Sequence, residues 1–361
     1  MKLTAQLKLQ PNTEQHALLR HTLEAANAAC NFVSRVAWEK QVFGRFALQK
    51  LCYQDIRRQF GLGADAAVRV FAKVADAYKL DKKRECVFRS HGAFPFNDRL
   101  VSYKLNTHTL SIWTLGGRQR MSFVYGTHQM ELLQGLHGEC DLAFRNGQFY
   151  LLQTCDVEEA RMEDVSGYLG IDLGIANIAV DSDGTFHQGK GMRQVRIRYR
   201  RLRQRLQTRQ TDSARRKLKR MAGREAQFAR DTNHRISKQL VKTAHDTGRG
   251  LALEDLTHIR ERVTARRGQR ATLHSWSFAQ LRSFIEYKAQ RAGIPVQAVN
   301  PRHTSRTCPN PACGHVDKAN RVSQDKFVCT RCGCAGRADY FAAIEISRRA
   351  VVLPPNVGSP S

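Results

Sequence analysis

The chain has 361 residues and carries 59 Lys and Arg against 32 Asp and Glu, a formal net charge of +27 and a pI near 10.2. A surplus of that size costs self-repulsion that an enzyme for small neutral substrates has no reason to carry, so it points to a polyanionic partner, nucleic acid first. No run approaches the roughly 20 apolar residues that cross a bilayer, and the opening MKLTAQLKL lacks the apolar core of a signal peptide; no membrane association is expected.

In chain order, Leu3, Ala5, Leu7 and Leu9 alternate in a half-buried strand stopped by Pro11. From Thr13 to about Tyr78 the apolar residues recur at three- and four-residue spacing, which predicts three or four helices inserted after that strand. Between about Val87 and Val157 the period returns to two, punctuated by Gly116-Gly117, Gly126 and Asn146-Gly147, as expected of an antiparallel sheet or small barrel. Lys82, Lys83, Arg84 and Arg89 form a small basic patch at this transition.

A second region opens near Val165. The stretch YLGIDLGIANIAVDSDGTFHQG predicts three strands joined by tight turns, and two long basic helices follow. The strand GLALEDL, the helix SFAQLRSFIEYKAQRAG, the strand IPVQAVN, a cysteine cluster and the helix DYFAAIEISRRA complete it, ahead of a loose tail. This succession predicts a mixed sheet with helices packed against it. Lys190 to Arg224 contains 15 Lys or Arg and a single acid, Asp212. With acidic partners almost absent, these helices are expected to pack on one face through Ile197, Leu202 and Leu206 and to track phosphates on the other. The expected nucleic-acid contacts are Arg193, Arg196, Arg200, Arg201, Arg205, Arg215, Arg216, Lys217, Lys219 and Arg220.

Three acids stand where carboxylates can hold metal. Asp172 ends an apolar strand before the turn at Gly174, Glu254 ends a second, and Asp339 opens the last helix. Asp255, beside Glu254, suits a helix cap or turn. Like charges repel, so three converging carboxylates make chemical sense around one or two Mg²⁺ ions, which align water with a phosphodiester.

Of ten cysteines, Cys30, Cys52, Cys86, Cys140 and Cys155 are scattered and read as reduced core thiols. Cys308-x₄-Cys313 and Cys329-x₂-Cys332, fifteen residues apart, form a four-thiolate zinc pattern with turn glycines at Gly314 and Gly333. Cys334 competes with Cys332, His303 and His315 are possible substitutes, and iron–sulfur ligation is the rival chemistry. A closed four-cysteine shell makes one structural rather than catalytic Zn²⁺.

Taken together, GIDLGIANIAV, LALEDL, NPRHTSRTCPNPACG with FVCTRCG, and RADYFAA resemble the corresponding segments of TnpB-type proteins, transposon-encoded RNA-guided DNA nucleases related to type V CRISPR effectors. LKLQPNTEQHALLRHTLEAANAACNFV is similar to that family's opening, so the likeness covers nearly the whole chain.

The resemblance implies an α/β RNase H-like (RuvC) nuclease domain with an inserted zinc ribbon, preceded by a β-barrel wedge domain carrying a helical recognition insertion. The implied boundaries are 1–10 and 87–160 for the wedge, 11–86 for the recognition helices, 165–302 and 336–350 for the nuclease, 303–335 for the ribbon and 351–361 for the tail. It further implies Asp172, Glu254 and Asp339 as catalytic Mg²⁺ ligands. A guide RNA from the transposon end and target double-stranded DNA beside a short flanking motif are the implied partners. The implied setting is the cytoplasm and nucleoid of a prokaryote. Alternatives are a catalytically weak or inactive guide-directed regulator and a transposase-type accessory protein. One position departs from the family pattern D-x-N-A-A: the chain reads DYFAA, with Phe341 where the family has Asn.

Overall fold

In a computed structural model of the protein the described residues are 1–255 and 278–352; of the expected tail 351–361, Val351 and Val352 belong instead to the last helix and the rest lies outside the described residues. The chain divides into two units, Met1–Glu158 and Glu159–Ser361.

In the first unit, β1 (Lys2–Gln10) is followed directly by three helices, α1 (Thr13–Lys40), α2 (Arg45–Phe60) and α3 (Ala64–Leu80). β1 turns Ala5, Leu7 and Leu9 inward, as its alternation predicts. Pro11 ends it, and Asn12 starts α1 by a reciprocal cap: Gln15 N donates to Asn12 Oδ1 at 2.8 Å and Asn12 N to Gln15 Oε1 at 3.2 Å. The helices bury Leu19, Leu23, Val33, Ile56, Val70 and Phe71 in one core with the sheet.

The remaining strands are β2 (Phe94–Phe96), β3 (Val101–Lys104), β4 (Thr109–Thr114), β5 (Gly117–Val124), β6 (Leu136–Arg145) and β7 (Gln148–Asp156). They join β1 in a seven-stranded sheet ordered β2-β6-β7-β1-β5-β4-β3, with antiparallel neighbours throughout. Asn146 and Gly147, at φ 51° and 79°, make the two-residue turn between β6 and β7 that the Asn-Gly pair demands. A short helix, α4 (Thr127–Leu133), interrupts the strands; no period-two reading anticipates it.

The second unit is built on five strands ordered β10-β9-β8-β11-β12. β8 (Tyr168–Asp172), β9 (Asn177–Asp181) and β10 (Phe186–Gln188) run antiparallel in succession, and β11 (Gly250–Glu254) and β12 (Val296–Val299) then run parallel to β8. The mixed sheet expected from sequence is therefore present.

Strand parity sends alternate residues to opposite faces. Leu169, Ile171, Leu251 and Leu253 pack with α6 (Asp212–Asp246) and α7 (Phe278–Arg291), while Ala252 and Val299 pack with Ile346 and Ala350 of α8 (Ala338–Val352). The latter face is reached through Gly170, where any Cβ would collide with the Ala343 carbonyl and the Ser347 amide. That close approach seats α8 directly over β8, and Ser347 Oγ fixes the register by donating to Tyr168 O at 2.6 Å.

α5 (Lys190–Arg209) pairs with the first half of α6 around a small separate core of Leu206, Ala214 and Met221, flanked by Tyr199, Leu202 and Leu218. Ile197 corrects the expected packing face. It remains 39% exposed, because the helix turns Tyr199 inward beside Leu202 and Leu206 instead.

Candidate active site and metal centre

The parity that places Gly170 and Ala252 under α8 places Asp172 and Glu254 on the same side, one step past the last registered pair, Ile171 with Leu253. Adjacent parallel strands lie about 4.8 Å apart. Both carboxylates thus emerge side by side where the strands end, beneath the first turn of α8, which carries Asp339.

Their mutual field shows in Asp172, whose carboxyl is pushed up to about 8 by burial first, then by the charges of Glu254 and Asp339, with Arg321 opposing. Burial raises Glu254 as well, against a hydrogen bond from Thr304 and the charges of Arg349 and Arg321. The structure therefore brings the three predicted acids into one electrostatic cluster. Asp255 does not join it: its amide donates to Val299 O at 2.8 Å and its carboxylate pairs with Arg282 at 3.5 Å.

Four side chains that hold this cluster were not read for that role in the sequence, Arg321 having been expected, with Lys318 and Lys326, to meet nucleic acid. Asn177 Nδ2, from the first residue of β9, donates to Asp339 Oδ2 at 2.9 Å. Arg321 Nη2 lies 3.4 Å from the other oxygen, Oδ1, and donates to Gln324 O at 2.9 Å. Thr304 Oγ1 donates to Glu254 Oε1. Arg282 Nη1 donates to the Glu254 carbonyl at 3.3 Å. No local spacing marks any of them, since each acts on a residue distant in sequence, three on a carboxylate and Arg282 on a backbone carbonyl. The Asn of GIANIAV was visible as part of a motif, without a reason for its type.

Asp172 has a direct consequence for stability. Its folded pKa near 8 stands far above the unfolded value of about 3.9. The folded protein must therefore hold a proton there or bury a repelled charge. The contribution is most favourable below pH 4 and is lost as pH rises through about 8. D172N is expected to raise the melting temperature of divalent-free protein, by several degrees at pH 9 and by less at pH 5; calorimetry at both pH values checks this.

The cysteine cluster closes as its spacing predicts. Cys308, Cys313, Cys329 and Cys332 place their sulfurs within 4.8 Å of one another. Cys308 and Cys332 are 3.6 Å apart, and Cys313 and Cys329 are 3.8 Å apart. Tetrahedral Zn–S bonds of about 2.3 Å put sulfurs about 3.8 Å apart, so the set fits Zn²⁺.

Each knuckle turns on a left-handed glycine, Gly314 at φ 55° and Gly333 at φ 73°. Cys334 closes the second knuckle through its backbone, its carbonyl accepting from Cys329 N at 2.8 Å, while its thiol stays outside the four. His303 and His315 are likewise outside the set. Burial pushes Cys308 up. It also opposes ionisation of Cys329, which is nevertheless drawn down to about 6 by the Cys332 and Arg331 amides and the neighbouring thiols. Such a set ionises together when a cation shares it.

Phe341 packs instead of hydrogen-bonding. Its ring meets Phe327 edge-on at 5.3 Å and occupies the space a Cβ on Gly336 would need. With Cys308, Cys329 and Ala338 it joins α8 to the ribbon strands β13 (Lys326–Val328) and β14 (Ala335–Arg337).

On the basic hairpin Arg193, Arg200, Arg201, Arg205, Arg215, Arg216, Lys217, Lys219 and Arg220 are exposed, whereas Arg196 is half-buried. Arg215 is paired with Asp212 at 3.2 Å.

Two family models match. One, described as a probable transposase of the OrfB_IS605 type, covers residues 153–259, and the other, a Cas12f1-like TNB domain, covers residues 278–346. The chain is 31% identical over 242 residues to the CRISPR-associated endodeoxyribonuclease Cas12f1 of Sulfoacidibacillus thermotolerans, covering 62% of this chain and 54% of that protein. It is 34% identical over 133 residues to a TnpB-like protein of Methanocaldococcus jannaschii, covering 37% and 46% respectively. The chain thus spans about half the length of these curated relatives.

A solved complex of Cas12f1 with sgRNA and target DNA superposes with a TM-score of 0.64 at 16% identity, over 93% of this chain and 83% of that one, a likeness of fold. No described helix is long and apolar enough to cross a membrane. Residues 153–259 thus match a transposase family and residues 278–346 a Cas12f1-like TNB domain, in the order that the resemblance to TnpB-type proteins leads one to expect.

Proposed function

We propose that the chain is an RNA-guided, Mg²⁺-dependent DNA endonuclease of a transposable element, cutting double-stranded DNA beside a short flanking motif. The observation that carries this reading is the cluster of Asp172 and Glu254 at two strand ends with Asp339 in the first turn of α8, where burial and mutual repulsion raise the Asp172 carboxyl. The donor set fits hard divalent cations: three carboxylates, with no thiol or imidazole among them. Bound there, Mg²⁺ would offset the carboxylate charge and polarise the scissile phosphodiester.

The chain's own part is positional. Asn177 and Arg321 fix both oxygens of Asp339, Thr304 fixes Glu254, and the strand ends keep Asp172 and Glu254 adjacent. Water attacks directly, and no covalent enzyme intermediate is part of the proposal. Two ions on these ligands, one structural zinc on the four cysteines, and a cytoplasmic, nucleoid-associated setting complete it.

The domain reading is proposed on the same footing. The five-stranded unit is the RuvC-like nuclease, residues 303–335 are its ribbon, the seven-stranded sheet is the wedge, and α1–α3 are the recognition insertion. All three carboxylates are present, which favours a nuclease over a guide-directed regulator. Recovery and sequencing of RNA copurified with the protein, then plasmid cleavage programmed with that RNA, tests the whole reading. A discrete RNA species and Mg²⁺-dependent cutting at its complement are expected; cutting without RNA, or no bound RNA, would overturn it.

The hairpin of α5 and α6 is proposed to grip nucleic-acid backbone. Changing Arg200, Arg201 and Arg205 together to alanine is expected to weaken RNA and DNA binding for all sequences alike. The salt slope should fall by roughly one for each phosphate that is no longer neutralised, as read from filter binding across a salt series.

A further inference from the structure

Glu254 is gripped at both ends by different machinery. Its backbone is set by the sheet, through the parallel pairing with Val299 and the Arg282 donation to its carbonyl. Its carboxylate is met by Thr304, a residue only 3% exposed in the short turn Thr304–Arg306 that leads into the ribbon. The Thr304 hydroxyl also lies 3.1 Å from the Pro301 carbonyl oxygen. A threonine hydroxyl has one proton and here faces two acceptors, so it serves Glu254 or Pro301 but not both.

The turn itself is clamped from α8. Arg349 Nη1 donates to Arg302 O at 2.7 Å and Asn300 O at 3.1 Å, while its Nε is held by buried Glu345 at 2.8 Å. Thr307 Oγ1 donates to His303 O at 2.8 Å and closes the turn from within. The hydroxyl therefore has a fixed origin and a choice of two partners.

We infer that Thr304 is a positioning residue for Glu254, holding its carboxylate in the orientation that accepts a divalent cation. The ribbon turn thereby sets the cation affinity of the carboxylate site. The inference rests on the reading of Asp172, Glu254 and Asp339 as cation ligands. The Pro301 carbonyl lets the hydroxyl release Glu254 without being left unsatisfied, so the arm is reversible at small cost. Partners that orient ligands in this way change metal affinity by about 10–100-fold when removed.

The test titrates Mn²⁺ into the zinc-loaded full chain, freed of nucleic acid, by calorimetry and electron paramagnetic resonance. T304V keeps the shape and removes the hydroxyl; T304S keeps the hydroxyl. T304V is expected to weaken Mn²⁺ binding about tenfold or more, with zinc content and melting temperature near wild type, while T304S stays within about threefold of wild type. The cleavage rate of T304V should recover at high Mn²⁺, since binding rather than the chemical step is impaired.

If T304V disturbs zinc content, T304A carries the same comparison with room for a bridging water. Wild-type Mn²⁺ affinity in the hydroxyl-free variants, alongside loss of binding in E254Q, would overturn the role of Thr304 and leave the carboxylate site standing. Unchanged Mn²⁺ binding in E254Q would instead overturn the site reading on which the inference rests.

Discussion

Replacing Asp172 or Glu254 with alanine is expected to cut Mg²⁺-dependent cleavage of guide-matched DNA by roughly a thousandfold or more, with RNA binding retained. The size follows from where the acids sit. Both emerge on the α8 side of adjacent parallel strands, and Asp172 already carries the combined repulsion of Glu254 and Asp339. Removing either leaves two carboxylates to do the work of three.

The folded frame should survive, because the strand interiors Leu169, Ile171, Leu251 and Leu253 are untouched and the substitution takes away a repelled charge rather than apolar packing. Single-turnover cleavage and gel-shift binding on the same preparations separate the two effects. Cleavage retained within about tenfold by both variants would remove these residues from the site.

The second large effect is expected at the ribbon. Chelation of zinc, or C329S, should lower the zinc content below one per chain and the melting temperature by about 10 °C, because metal binding at such a site is folding free energy. The ribbon's own core is thin. Phe327, Ala338 and the cysteines themselves make most of it, with Phe341 leaning in from α8.

Cleavage should fall along with stability, since Arg321 and Thr304, which contact Asp339 and Glu254, both lie in the stretch the ribbon organises. Zinc analysis, calorimetry and cleavage on one sample check this. C334S is the matched control and should keep its zinc, because that thiol stands outside the four.

The same geometry explains the substitution at Phe341. Its ring is a packing element between α8 and the ribbon, and the amide that reaches Asp339 comes from Asn177 on β9. The departure from D-x-N-A-A therefore leaves Asp339 with a side-chain amide, delivered from a different element.

What was legible beforehand followed local chemistry. Period-two alternation marked β1 and the later strands of the first unit, while apolar runs bounded by turns marked β8, β9 and β11 of the second. The Asn-Gly pair marked the β6–β7 turn, and cysteine spacing marked the metal knuckles with their left-handed glycines. The acids at strand ends could be picked out because a carboxylate closing an apolar run is unusual on either face. α4 was missed because seven residues are too few to establish a period. Ile197 was assigned to the wrong face because an arginine-rich helix leaves little apolar contrast to read.

The sequence by itself determined the elements, the four thiols, the three acids and the strongly basic face, since each depends on residue type and short-range spacing. Only the tertiary structure decided that the acids share one place. That depends on the parallel register of β8 with β11 and on Gly170 admitting α8 against the sheet, facts set by packing between segments far apart in the chain. The same holds for Asn177, Thr304, Arg321 and Arg349. No local spacing gives their side chains a role, which they gain only because folding brings a donor within reach of a carboxylate or of the turn that holds one.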